Sequence, residues 1–211
     1  VKTGKSRPNK EIFLSIESLD QAITSKKQVQ FTYTTYDLDL KLKPRRKEAY
    51  TVNPYALFWN NGQYYLISNY PPHTGITHFR LDRMKNVVVK EEAAAKPPAG
   101  VDVYDYARQA LFMYGGDLLS FTIRCDRLIL NDVVDRFGDQ IMLLSADEES
   151  FTTVVKATTG GMRLWAIHYL QYCQLLEPSW LAEEIRTAIR KGMDLYQIQE
   201  HQRESERKES R

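Results

Sequence analysis

Cysteine is nearly absent from this chain: Cys125 and Cys173 are the only two in 211 residues. That is too few for a disulfide framework. Neither has a Cys or His neighbour at ligand spacing, so no zinc motif can be read from the sequence. Long apolar runs are also missing. None approaches the ~20 residues that a membrane-spanning helix needs, and no N-terminal stretch has the layout of a signal peptide. A phosphate-cradling glycine loop, a His-Glu pair at metal spacing on a helix and a Gly-x-Ser-x-Gly turn are all absent. These gaps describe a reduced, cytoplasmic protein with no cofactor and no catalytic motif, read here as not an enzyme.

What remains is an ordinary folding composition. Hydrophobic residues make up 43% and charged residues 27%, enough apolar content for a core and too much for disorder. The net charge of +2 hides a split. Residues 1–100 hold 16 Lys and Arg against 9 Asp and Glu, and residues 101–211 hold 13 against 18. The first half is therefore the one suited to an anionic partner. Much of its excess lies in Lys41, Lys43, Arg45, Arg46 and Lys47, read as a solvated loop or strand edge.

Periodicity supplies the elements. Ile16, Leu19, Ala22 and Ile23 follow helical spacing, which predicts a helix over 13–25. Val29, Phe31 and Tyr33 alternate with polar residues as a half-buried strand does. Further strands are expected at 49–52, 57–59, 63–69, 77–81 and 87–90. Asn61-Gly62 suits a type I′ turn between two of them. One helix and several short strands within about 80 residues predict a small barrel. Residues 91–102, with Pro97-Pro98 and Gly100, read as a linker, and 104–113 as a short helix stopped by Gly115-Gly116. The second half reads βαββαβ, a ferredoxin-like split unit, with a last helix capped by Ser179.

The chemistry-bearing residues concentrate on one strand. Residues two apart on a strand share a face, so His78, Arg80 and Asp82 project together while Phe79 and Leu81 turn into the core. Arg83 falls on the core side unless the strand ends near Asp82. Two donors side by side near many tyrosines suit an anion better than a reaction. Structural ion pairs, with Asp82 or with the acidic half of the chain, are the plain alternative for both arginines. Alternation sets Tyr65, Ile67 and Asn69 against Tyr64, Leu66 and Ser68, and does not decide which set is inside. His168, among Trp165, Tyr169 and Leu164 on a predicted helix, is expected to pack.

Pro54-Tyr55-Ala56-Leu57, Gln63-Tyr64-Tyr65-Leu66 and His78-Phe79-Arg80-Leu81-Asp82-Arg83 together resemble the WYL domain of bacterial transcription regulators. The resemblance covers residues 12–92. It continues more weakly into that family's C-terminal extension through Asp135-Arg136-Phe137-Gly138 and Leu176-Glu177-Pro178. Tyr64 stands where the family usually has its namesake Trp, and residues 169–173 stand where related extensions often have a glycine turn. The resemblance implies an α+β chain: a small Sm-like β-barrel at 13–92, a linker with a short helix at 93–116, and a ferredoxin-like βαββαβ extension at 117–198. Residues 1–12 would be a linker or an added end, and 199–211 a charged tail.

It also implies a ligand pocket at Tyr65, Arg80 and Arg83, which His78 joins through its shared strand face with Arg80, taking an anionic effector such as single-stranded DNA or a nucleotide. Dimerisation through the extension is implied as well. Operator DNA would be bound by a winged helix-turn-helix that this chain does not show, which reads as a trimmed segment. A dimerisation or protein-interaction module without a small ligand, and an accessory domain of a nucleic-acid-processing enzyme, are the alternatives.

Overall fold

The helix expected at the start of the chain forms as α1, Lys10–Ser25, and its apolar stripe explains its place. Leu19 and Ala22 are fully buried, with Ile16 and Ile23 packed beside them. They lie against Val29, Phe31, Val52, Leu66 and Phe79 from the strands that follow. The computed structural model describes residues 10–73, 75–138 and 141–209, with side chains described over 12–197 apart from the same gaps. Two units divide it, 1–116 and 117–211. Each contains one antiparallel sheet.

The first sheet comprises β1 (Lys27–Tyr36), β2 (Leu42–Pro44), β3 (Tyr50–Asn60), β4 (Gln63–Asn69), β5 (Thr77–Arg80) and β6 (Met84–Ala93). Its order is β2-β1-β3-β4-β5, with β6 also on β1, so the sheet curls into a half-barrel. Two strands expected at 49–52 and 57–59 are one strand, β3. Pro54, which lacks an N–H, and a register shift between Pro54 and Ala56 break its sequence alternation. The basic run 41–47 is partly a strand, where Lys43 sits 2.5 Å from Asp37 and 3.3 Å from Asp39.

Asn61 and Gly62 take φ of 47° and 75° in the β3–β4 hairpin. A Cβ at Gly62 would meet nothing within 4 Å, so the cost of Gly62→Ala is backbone strain alone. We expect a loss of about 1 kcal/mol, read as a lower urea midpoint with an unchanged slope.

The helix expected at 104–113 is shorter. Helix α2 spans Val103–Gln109, with Asp102 accepting the Asp105 backbone N–H at 2.8 Å as its N-cap. Ala110, with φ −77° and ψ 82°, ends it before the glycines do, and Phe112 and Met113 beyond it take positive φ. A second small core forms here: Ala107 and Met113 cover Ala56 and Ile67 on the outer face of β3 and β4. Both faces of β4 are thus covered, which is why alternation left its inside undecided. Leu66 faces the α1 core and Ile67 the α2 core, each fully buried.

The second unit runs β7 (Leu118–Asp126), α3 (Leu130–Phe137), β8 (Met142–Ala146), β9 (Ser150–Thr158), α4 (Thr159–His168), β10 (Cys173–Glu177) and α5 (Ser179–Glu209). Its sheet has the order β10-β7-β9-β8. Trp165 is buried, with Phe137 edge-on at 5.0 Å. The backbone of α5 stays helical into the segment expected to be a frayed tail. The molecule is mixed α+β with two antiparallel sheets. No described helix is long and apolar enough to cross a membrane.

Candidate functional site

Strand β5 ends at Arg80, and a single 3₁₀ turn, Leu81–Arg83, follows at once. That early end decides the site. Phe79 and Leu81 enter the α1 core, 4% and 1% exposed, as the alternation predicts. Arg83, which an unbroken strand would send inward, turns instead toward Asp82 and β1.

Asp82 organises what results. Its carboxylate accepts from Arg80 Nε at 3.0 Å and Arg80 Nη2 at 2.8 Å, a forked pair. Arg83 Nε lies 3.8 Å from the same carboxylate. Two guanidiniums therefore share one acid, leaving one surplus positive charge. The fork uses one edge of Arg80, and Nη1 makes no hydrogen bond among the described residues. Hydrogen bonding to Asp82 raises the Arg80 pKa above its ordinary value, so its charge is fixed at any working pH. The side chains of Arg80, Asp82 and Arg83 keep 35%, 31% and 21% of their exposure.

Tyrosines frame the three charges. Tyr65 pairs with Arg80 across β4 and β5. The Tyr33 hydroxyl accepts the Arg80 backbone N–H at 3.2 Å, and burial raises its pKa. Arg83 stacks over the exposed Tyr36 ring at 4.5 Å. Thr34 Oγ1 donates to the Arg83 carbonyl at 2.9 Å, fixing the turn. Alternation placed Tyr33 on a half-buried strand, but nothing in the sequence tied it or Tyr36 to the arginines. Their link to the arginines depends on β1 passing beside the 3₁₀ turn, which no local pattern announces.

His78 is placed differently. Its register partner is Ile67, so it lies on the face of Tyr65 and Arg80, but the 103–113 segment covers it. Nδ1 is 2.9 Å from the Met113 carbonyl; a carbonyl only accepts, so Nδ1 carries the proton. Nε2 is buried without a hydrogen-bond partner among the described residues, and the Tyr106 ring lies 5.7 Å away. The structure thus gathers Arg80 and Arg83 around Asp82, sets Tyr65 opposite Arg80, and turns His78 toward Met113.

Burial lowers the His78 pKa below 6.5, with the Met113 hydrogen bond opposing it less strongly. The unfolded chain then binds a proton at about 6.5 that the folded chain refuses. Stability contributed by this position is intact above pH 6.5 and falls as pH drops through that value toward the folded pKa. The expected slope approaches 1.4 kcal/mol per pH unit. Urea midpoints of wild type and His78→Gln between pH 7.5 and 5 check this, the substitution flattening the profile.

A second arginine–aromatic stack was not foreseen. Arg46 lies over Tyr50 at 3.5 Å and Tyr70 at 4.9 Å. It donates to the Tyr70 hydroxyl and, at 3.0 Å, to the Glu48 and Ala49 carbonyls. These bonds pin the loop after β2 to the barrel end, so Arg46 leaves the solvated class expected for its run. His168 is exposed and edge-on to Tyr169 at 4.9 Å, not packed inside as expected. Among the described residues no group of three or more His, Cys, Asp or Glu is placed to hold a metal ion.

The family model described as the WYL domain matches residues 15–89, a span that takes in Arg80 and Arg83. Among solved structures, "Crystal structure of a CRISPR Cas-related protein" is similar at 12% identity and a TM-score of 0.51, over 89% of this chain and 53% of that one. The proteasome accessory factor B/C (PafBC) of Arthrobacter aurescens matches at 18% identity and a TM-score of 0.38, over 93% of this chain and 29% of that one. The chain therefore spans about half, and under a third, of the lengths of these two. No curated protein matches.

Proposed function

We propose that this chain is the effector-sensing and oligomerisation part of a bacterial transcription regulator. In this reading its WYL domain binds an anionic ligand, single-stranded DNA or a nucleotide-like molecule. The observation that carries the proposal is the uneven charge at the end of β5: Arg80 and Arg83 share the single carboxylate of Asp82. Asp82 holds the Arg80 fork in one orientation and leaves Nη1 and the surplus charge to a phosphate. Tyr65 would border the ligand, with Tyr33 and Tyr36 as further aromatic neighbours. His78 would support the site by tying the Met113 turn to β5. No step in this reading is catalytic.

The first unit is assigned as an Sm-like barrel, on its curled sheet after one helix. The second is assigned as a ferredoxin-like extension, on the βαββαβ order and the strand order β10-β7-β9-β8. Effector binding would act on a homodimer by favouring one of two arrangements, and only through unequal affinity for them. Operator DNA would be read by a winged helix-turn-helix outside this chain.

The forked Arg80–Asp82 pair also suits a second reading, an interaction module whose arginines serve only as ion pairs. Fluorescence anisotropy with short labelled single-stranded DNA at two salt concentrations separates the two. Saturable binding that weakens with salt supports the sensor. No binding at low salt favours the interaction module.

A further inference from the structure

The two cysteines that the sequence separates by 48 residues meet in the second unit. Cys125 on β7 and Cys173 on β10 are directly opposite in an antiparallel pair, with Cys125 Sγ 3.2 Å from Cys173 Sγ. Both are free thiols and both are buried, 1% and 8% exposed. Opposed residues of antiparallel strands have Cα atoms about 4.5–5.5 Å apart, inside the range that a disulfide spans without backbone movement.

We propose that Cys125 and Cys173 form a dithiol–disulfide site that an oxidising low-molecular-weight disulfide closes, stapling β10 to β7. The reaction balances with that oxidant alone. The Cys173 thiolate attacks one sulfur of the reagent, forming a mixed disulfide and releasing one thiolate. The Cys125 thiolate then attacks the Cys173 sulfur and expels the second. Two electrons pass from the protein to the reagent, and the two protons lost from the protein thiols end on the two released thiols.

Three features set the behaviour of the site. No third cysteine in the chain competes, and the 3.2 Å between the two Sγ atoms favours a bond within one chain. The hydrogen bond with Cys125 and, after it, burial push the Cys173 pKa up, which keeps the buried pair protonated and slow to react. Strand β10 lies at one edge of its sheet, so local opening of that edge is the route by which Cys173 reaches the reagent. Oxidation is therefore gated by opening of β10. The bond, once made, fixes the strand that leads directly into α5.

The test is incubation of the full chain with oxidised glutathione, followed by intact mass, thiol counting after denaturation, and non-reducing peptide mapping. The expected product has the mass of one chain lighter by two hydrogens, no free thiols and no inter-chain disulfide, and is cross-linked between 125 and 173. It should form faster in urea concentrations below the unfolding transition. Its melting temperature should rise by on the order of 10 °C and return with dithiothreitol. Cys125→Ser should keep the fold and lose the gain. Persistent glutathione adducts, disulfide-linked dimers, or two free thiols retained up to the unfolding transition would each overturn the proposal, as would the same gain in Cys125→Ser.

Discussion

Phe79→Ala is expected to destabilise the first unit by about 3–5 kcal/mol, as removal of a buried aromatic ring does. Phe79 is 4% exposed and stands at the centre of an aromatic cluster. Phe31, Tyr33 and Tyr50 each present a ring within 5.0–5.3 Å of it, all at steep angles. Truncation leaves a cavity that four elements border, since α1 packs on the same core. The edge-to-face contacts add to the area term. A loss of this size is a large share of the total for a unit of this length. Urea denaturation followed by circular dichroism would show the midpoint fall. A change under 1 kcal/mol would mean that the ring is not buried as described.

The neighbouring position should behave in the opposite way. The double substitution Arg80→Ala/Arg83→Ala is expected to leave the fold near wild-type stability and to remove anion binding. The Arg80–Asp82 pair is about one third exposed, so its loss should cost no more than ~1 kcal/mol. Binding should suffer far more. Each charge-assisted hydrogen bond to a phosphate is worth about 1.5–3 kcal/mol net, so losing both arginines weakens binding by on the order of 100-fold or more. The salt dependence should flatten as well, with the slope of log K against log salt reduced by roughly 1.4 for two lost phosphate contacts on a single strand. Anisotropy titrations at two salt concentrations measure both effects. Adjacent residues of one strand would then divide cleanly, Phe79 for the fold and Arg80 for the ligand.

The elements were legible where period and turn chemistry agreed. Helix α1, the Asn61-Gly62 hairpin and the inward pair Phe79 and Leu81 all follow from local pattern. Legibility failed where a strand is covered on both faces or contains a proline. Leu66 and Ile67 are adjacent and both buried, so alternation has no polar side to show. Pro54 split β3 into two apparent strands because its register shift resets the alternation.

At the candidate site the cluster of Arg80, Arg83 and Asp82 was readable from spacing, given where the strand ended. Its surroundings were not. Tyr36, Thr34 and Met113 arrive from positions 30 to 50 residues away in the chain, through pairing and covering that only the fold creates. The opposition of Cys125 and Cys173 belongs to the same class.

We propose that an anion binds on the guanidiniums that share Asp82. The most direct test is arginine side-chain NMR of the ¹⁵N-labelled chain during titration with a short oligothymidylate, with Arg80→Ala and Arg83→Ala providing the assignments. The Nε–Hε signals of Arg80 and Arg83 should shift together along one saturable curve, while that of Arg46, stacked on Tyr50, stays in place. Shifts confined to Arg46 and the other basic residues of its loop, or no shift at all at millimolar oligonucleotide, would contradict it.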